Sequence, residues 1–207
     1  MSSLKLDFNL KHPEIEIQPS AESGDILGLE AQLGIELPPS YKEFVTKYSN
    51  GLFVDIGNAL TLFPLFPNKF EENQDFTLSG SKKLFAEIEE VGSEGFLPFG
   101  MNGVDFETWA FYTSVRFNDG EYPIILLLPG ACLLPRFTSF LGFLNFTVNW
   151  LILTDLDKKE DFYSKKWKEL YKKYDPRMKP IPVDEDYENC ASVSILARKM
   201  RELVNIK

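Results

Sequence analysis

Residues 33–51, LGIELPPSYKEFVTKYSNG, contain the signals that decide how this chain begins to fold. Gly34 can close a first helical segment, because glycine readily takes the left-handed conformation that satisfies the last helical carbonyls. Pro38-Pro39 then prevents helix continuation and holds the turn extended. Ser40 and Glu43 have the spacing of a capping box at the start of a second helix. The stretch therefore predicts two helices joined by a stiff turn, the second ended by the final Asn-Gly.

Outward from this stretch, helical and strand-like patterns occur in segregated runs. Residues 1–20 read as a strand or a loose arm. The two helices of this stretch are predicted at about 21–33 and 41–49, and further helices at about 78–91, from Ser139 onward, at 158–174 and near the end of the chain. Strands are predicted at about 52–56, 59–63, 97–99, 106–113, 123–128 and 133–134. The pattern indicates an α+β fold, an antiparallel sheet flanked by helices, with two additional C-terminal helices packed on the body. We expect residues 1–153 to form the α+β domain and residues 154–207 to form a helical extension docked on it.

The longest uncharged run is residues 137–154, FTSFLGFLNFTVNWLILT. Its length approaches that of a membrane span, but Ser139, Asn145, Thr147 and Asn149 interrupt it. Apolar residues form two stripes along it, and a helix that is apolar on two faces is buried on two faces. We therefore predict a core helix between the sheet and the tail helices, and no membrane insertion.

The charge of the chain is unevenly distributed. Residues 1–153 contain 9 Lys+Arg against 20 Asp+Glu, a net charge of −11, whereas residues 154–207 contain 13 against 11, a net charge of +2. An acidic body disfavours direct nucleic-acid binding, which depends on cationic side chains that meet phosphates. It is either ordinary solvated surface or a surface suited to a basic partner.

Residues with the chemistry of an active site are few. The chain has one histidine, His12, and two cysteines, Cys132 and Cys190, which lack metal-ligand spacing. We expect free thiols in a reducing cytoplasm, no bound metal and no cofactor. The N-terminus shows no basic segment followed by an apolar run, so no signal peptide is predicted. Nothing in this pattern favours an enzyme.

Three blocks of the sequence resemble the SUKH superfamily. The first block consists of Glu30, Leu33-Gly34, Leu37-Pro38, Tyr41, Lys42, Phe44 and Asn50-Gly51. The second and third comprise residues 96–100, Asn102-Gly103, Asp105, 108–112, 123–127, Ser139-Phe140 and Leu144. The superfamily includes fungal cell-wall assembly regulators and bacterial immunity proteins. The resemblance implies a binding protein that neutralises a toxin or, alternatively, a regulator or scaffold linked to cell-wall synthesis.

The segment 103–113 combines charge with aromatic bulk and is the candidate partner-binding surface. Asp105 and Glu107 share one face of the predicted strand, since strand residues alternate between faces. Such a pair can serve acid–base chemistry or bind a cation, but exposed strand charges are far commoner. Trp109 and Tyr112 lie beside it, and any aromatic ring left outside would anchor a partner. We expect Asp105, Glu107, Trp109 and Tyr112 to lie near the surface that contacts a basic partner.

Overall fold

The computed structural model describes residues 5–56, 59–66, 77–81, 95–103, 107–128, 132–154, 160–179 and 191–203. Within these ranges the chain forms one antiparallel sheet in which spatial order follows chain order. Its seven strands are β1 (Ile15–Ile17), β2 (Leu52–Val54), β3 (Leu60–Leu62), β4 (Phe96–Asn102), β5 (Thr108–Tyr112), β6 (Ile124–Leu128) and β7 (Cys132–Phe137). Strands β1 and β7 are the two edges.

Five helices accompany the sheet in the described ranges: α1 (Ser23–Leu33), α2 (Pro39–Lys47), α3 (Phe140–Thr154), α4 (Glu160–Tyr174) and α5 (Val193–Leu203). The α+β prediction, with flanking helices and two C-terminal helices packed on the body, is confirmed. Most of the helix predicted at 78–91, residues 82–91, lies outside the described ranges.

The two faces of the sheet carry separate cores because side chains alternate along each strand. The first face contributes Ile15, Val54, Leu60, Trp109 and Leu126 to the main core, together with side chains of α1, α2 and α3. The second face contributes Phe96, Ala110, Tyr112, Ile125, Leu127 and Leu133 to a smaller core that also contains Leu196 of α5. A sheet covered on both faces buries both sets of residues, so its central strands are almost uniformly apolar.

The turn between α1 and α2 was predicted correctly in part. Gly34 takes the left-handed conformation, with φ at 69°, and its amide donates to the carbonyl of Glu30. The capping box at Ser40 and Glu43 is wrong. Helix α2 begins at Pro39, and both the amide and the hydroxyl of Ser40 donate to the carboxylate of Glu121. A side chain remote in sequence therefore replaces the local cap.

Helix α3 is buried on two sides, as the double stripe predicted. Phe140, Phe143 and Leu144 face the sheet core and are fully buried. On its outer side, the ring of Phe146 lies 4.6 Å from that of Trp167 on α4. Gly142 permits the close approach, because an added Cβ would lie 2.9 Å from the carbonyl oxygen of Tyr174. None of the helices within the described ranges has the length and apolar composition needed to cross a bilayer.

The last helix does not share the outer face of α3 with α4, as the sequence had suggested. Helix α5 contacts β7, and Ala191, just before it, forms an isolated antiparallel bridge with Leu133. Its Leu196 is fully buried in the core on the second face of the sheet. Amphipathicity shows that a helix has an apolar face, but it does not identify the surface which that face covers.

The expectation of free thiols is wrong for Cys132, which is disulfide-bonded. Cys132 begins the edge strand β7 and is almost fully buried. The other cysteine of the chain, Cys190, lies outside the described residues. Separation in sequence does not measure separation in space, so spacing alone did not predict this bond.

Candidate partner-binding surface

A hydrogen-bond network holds Glu107 at the end of the β4–β5 hairpin. The amide group of the Asn102 side chain donates to the Glu107 carboxylate at 2.7 Å. The indole nitrogen of Trp109 donates to the Asn102 side-chain oxygen at 2.9 Å. The main-chain amide of Asn102 also donates to the carbonyl of Glu107. Asn102 therefore fixes the carboxylate relative to the sheet and joins it to the core.

The structure brings Glu107 and Trp109 together but separates Tyr112 from them. Trp109 is 6% exposed and packs on the first face, with its ring 4.8 Å from that of Phe143. Tyr112 is also 6% exposed, but it lies on the second face against Phe96. Both aromatic rings belong to the cores. Asp105 lies outside the described residues.

Sequence reasoning missed Asn102 as the residue that organises this end of the sheet. It was noted only as part of an Asn-Gly pair in the second matching block. Asparagine offers both a donor and an acceptor, so one side chain can serve a carboxylate and an indole together. An Asn that precedes a turn and lies near a Glu and a Trp in sequence was the available signal.

A second charged cluster joins the α1–α2 turn to the segment after β5. Lys42 lies 3.1 Å from Glu30 and 3.2 Å from Glu36, and Arg116 donates to Glu36 at 2.8 Å. The hydrogen bond from Arg116, followed by that from Lys42, lowers the pKa of the Glu36 carboxyl. Glu36 is exposed, so this pair contributes little to stability. The acids of this cluster are already paired with Lys42 and Arg116, so they are less suited to bind a basic partner than acids without a basic neighbour.

The buried acid Asp175 serves a structural connection. It accepts hydrogen bonds from the amide of Thr138 at 2.5 Å and from the Thr138 hydroxyl. Burial raises the pKa of the Asp175 carboxyl, and the bonds from Thr138 oppose that shift. The contact fastens the end of α4 to the start of α3, and Asp175 is 2% exposed. This acid is therefore inaccessible to a partner.

Among the residues that the structure describes, the other chemistry-bearing side chains form no recognisable reactive group. The ring nitrogen Nδ1 of His12, the chain's one histidine, accepts a hydrogen bond from the amide of Glu14 at 3.3 Å. Across the part of the chain that the structure describes, no group of three or more His, Cys, Asp or Glu residues is placed to hold a metal ion. What the described residues offer is a carboxylate-bearing protein surface on a well-packed scaffold.

One protein-family model matches most of this architecture. The model of the SMI1/KNR4 family (SUKH-1) matches residues 20–146. The chain belongs to this family. The SUKH-1 match spans α1 to Phe146 of α3, so β1, α4 and α5 lie outside it. No curated protein matches the chain.

The SUKH-1 residues that the sequence analysis singled out have structural roles in this chain. The Glu30 carboxylate accepts from the amide of Leu37 at 2.7 Å and so closes the turn between α1 and α2. Tyr41 and Phe44 are buried against α3. The matching pattern therefore specifies a scaffold, and the function has to be argued from the surface of that scaffold.

Proposed function

We propose that this SUKH-1 protein acts by binding a protein partner, without catalysis, and that the partner is a toxin domain with a basic active face. Toxins that act on nucleic acid need cationic surfaces to hold phosphates. An acidic protein that covers such a surface blocks it without any chemistry of its own. The proposed setting is a cytoplasmic immunity protein.

The charge of residues 1–153, a net −11, is the single observation that carries the proposal. The tail, with a net +2 over residues 154–207, does not share it. Complementary charge chiefly speeds encounter with a basic partner, while a few buried contacts then slow dissociation. The acidic body is therefore the proposed contact region, and the basic tail is not.

Within the body, the proposed contact site is the end of the β4–β5 hairpin. Asp105 and Glu107 supply the charges, and Asn102 holds the Glu107 carboxylate in place. Trp109 supports that arrangement from the core through its bond to Asn102. Tyr112 anchors the opposite end of the same strand against Phe96. In this proposal the two aromatic residues position the strand, and the two acids meet the partner.

The experiment is co-expression with a toxin domain encoded beside the gene, with cell growth and co-purification as readouts. Wild type should restore growth and co-purify with the toxin. The double variant Asp105→Lys/Glu107→Lys should protect less well, whereas the tail variant Lys165→Glu/Lys168→Glu should protect like wild type. If wild type neither binds nor protects, the immunity proposal is wrong. If the Asp105/Glu107 variant protects fully, only the choice of site is wrong.

The alternative is a regulator or scaffold linked to cell-wall synthesis, which the SMI1/KNR4 membership favours. A binding surface on the same scaffold would serve either role. The neighbouring genes separate the two: a large polymorphic toxin gene favours the immunity protein, and a cell-wall locus favours the regulator.

A further inference from the structure

The segment formed by β1 and the first half of α1 exposes apolar side chains beside acidic ones. Among the described residues, the large hydrophobic side chains classed as exposed are Ile17, at 49%, and Leu27, at 67%. They lie only ten positions apart in sequence. Isolated exposed apolar residues are ordinary on a protein surface. These two belong to consecutive elements, β1 and α1, and exposed acidic residues accompany both along the chain.

The same stretch is acidic without a basic counterpart. Between Pro13 and Tyr41 the chain has six Asp and Glu residues and no Lys or Arg. Two of the six, Glu30 and Glu36, are paired with Lys42 or Arg116. The other four are exposed. With the two apolar residues they make up what we call the β1–α1 surface: Glu14, Glu16, Ile17, Glu22, Asp25 and Leu27.

The register of the sheet places Ile17 on the same side as α1, whereas Glu14 and Glu16, at alternate positions, point to the other side of this edge strand. Ile17 is opposite Leu52 of β2, whose side chain lies in the main core with those of α1. Side chains of directly opposed residues point to the same face of a sheet. Ile17 therefore projects from the sheet edge toward the helix layer and not toward the second face. Only the short link 18–22 separates the strand from the start of α1.

The outer edge of β1 adds main-chain groups to the surface. The amide of Asp55 donates to the carbonyl of Glu14, and the amide of Gln18 donates to the carbonyl of Gly51. Antiparallel pairing alternates, so the main-chain groups of Ile15 and Ile17 point away from β2. The Ile15 amide donates a hydrogen bond to the carbonyl of His12 at 3.0 Å. In the described part of the chain, no strand pairs with this edge.

The flanking prolines limit how such an edge is used. Pro13 and Pro19 bracket β1 and restrict main-chain pairing to a very short stretch. A visiting segment therefore gains few main-chain hydrogen bonds and must be held by its side chains. Apolar contact with Ile17 and Leu27, and ionic contact with the four carboxylates, are the interactions available. A second copy of this chain is a poor occupant, because it would bring the same four carboxylates against each other.

We propose that the β1–α1 surface binds an extended segment of a partner protein in which Lys or Arg residues flank an apolar side chain. The proposal rests on the proposed function, since it names a site through which the protein would hold a basic partner. It also assigns part of the recognition to β1, which precedes the region that the SUKH-1 model matches. The charges attract and orient the segment, and the two apolar residues retain it.

The test uses a short synthetic peptide in which lysine alternates with valine, with a glutamate–valine peptide as its control. Binding to the full chain is measured by fluorescence anisotropy and located by NMR chemical-shift changes. The lysine peptide should shift the amides of residues 14–17 and 22–27, and the control peptide should not bind. Glu14→Lys/Glu16→Lys should weaken binding by about tenfold, since two attractive charges become repulsive. Leu27→Ser should weaken it severalfold without any change in charge.

The matched control is Glu43→Lys/Glu169→Lys, which changes the net charge equally at positions outside the surface. It should bind the peptide nearly as well as wild type. Absence of peptide binding, shifts located elsewhere, or equal weakening by the control pair would overturn the proposal. The co-expression assay separates this proposal from the proposed function. Full protection by Glu14→Lys/Glu16→Lys rejects the β1–α1 surface alone, whereas failure of wild type rejects the immunity function while the peptide result stands.

Discussion

The carboxylate of Glu121 lies 2.9 Å from the amide of Ser40, although the two residues are 81 positions apart in sequence. Pro38 and Pro39 have no amide hydrogen, so Ser40 offers the first donor at the start of α2. The same carboxylate accepts from the amide of Phe140 at the start of α3, at 3.2 Å. One buried acid therefore stabilises the N-terminal ends of two helices, where negative charge is favourable.

Glu121→Ala should lower the free energy of unfolding by about 2–3 kcal/mol, because two helix ends lose a charged acceptor in a buried site. Glu121→Gln should lower it less, since the amide oxygen still accepts a hydrogen bond. Chemical denaturation measures both, with the exposed Glu169→Ala as a control that should stay within about 0.5 kcal/mol of wild type. A Glu121→Ala protein as stable as wild type would show that neither helix depends on this cap.

The hydroxyl of Tyr41 is buried without a hydrogen-bond partner in the described structure. Burial also raises the pKa of this phenol. Tyr41→Phe should leave stability unchanged or raise it by up to about 1 kcal/mol, since it removes an unsatisfied buried polar group.

The matched control is Tyr122→Phe. The Tyr122 hydroxyl donates to the carbonyl of Glu36 at 3.0 Å, so its removal should lower stability by about 1 kcal/mol. Thermal melts should show a lower Tm for Tyr122→Phe and an unchanged or higher Tm for Tyr41→Phe. A clear loss of stability in Tyr41→Phe would indicate a partner for its hydroxyl that the structure does not show.

Docking of α4 on α3 should depend on Trp167, whose ring lies 4.6 Å from Phe146 and 4.8 Å from Trp150. Trp167→Ala should lower the free energy of unfolding by about 2–4 kcal/mol, because it opens the aromatic contact between the helices. The exposed neighbour Lys168→Ala should have little effect. Deletion of residues 155–207 should expose the outer face of α3 and cause aggregation or loss of cooperative melting. A truncated protein that stays monomeric and equally stable would contradict the docking.

Reduction of the disulfide of Cys132 should destabilise the edge of the sheet by about 2–4 kcal/mol. The loss should be greatest near the bridge between Leu133 and Ala191, which lies next to that bond in sequence. Hydrogen exchange with and without reductant measures this locally. Cys132→Ser should resemble the reduced protein and be insensitive to reductant. In a reducing cytoplasm the thiol form would prevail. If hydrogen exchange of wild type does not change when reductant is added, α5 docks without the disulfide.

The fold was predictable where local patterns and global packing agree. Gly34 ends α1 as expected, and the two apolar stripes of α3 correspond to two buried sides. The cap of α2 was not predictable, because its acceptor, Glu121, is brought to Ser40 only by the folded sheet. The packing position of α5 was not predictable for a similar reason. An amphipathic pattern predicts that one face of a helix is buried, but it does not predict which part of the protein covers that face.

The candidate site shows the same limit. Strand alternation implies that Trp109 and Tyr112 point to opposite faces, and they do. Trp109 is buried against Phe143 of α3, whereas Tyr112 belongs to the core on the second face, which also contains Leu196 of α5. No local pattern predicts that α5 covers this second face. The exposure of Ile17, Leu27 and the acids near them could not be predicted from the sequence. Their role as a candidate binding surface depends on the position of β1 at the edge of the sheet, which is known only from the strand order.

The central claim is that the acidic body drives association with a basic partner. The most direct measurement is the association rate constant of the purified protein with the toxin domain, followed by stopped-flow from low to high salt. The rate should fall by about tenfold or more as salt screens the body's charge. Reversal of acids in the body should slow association at low salt, and Lys165→Glu/Lys168→Glu in the tail should not. An association rate that is independent of salt, or one that is slowed only by the tail variant, would contradict the account.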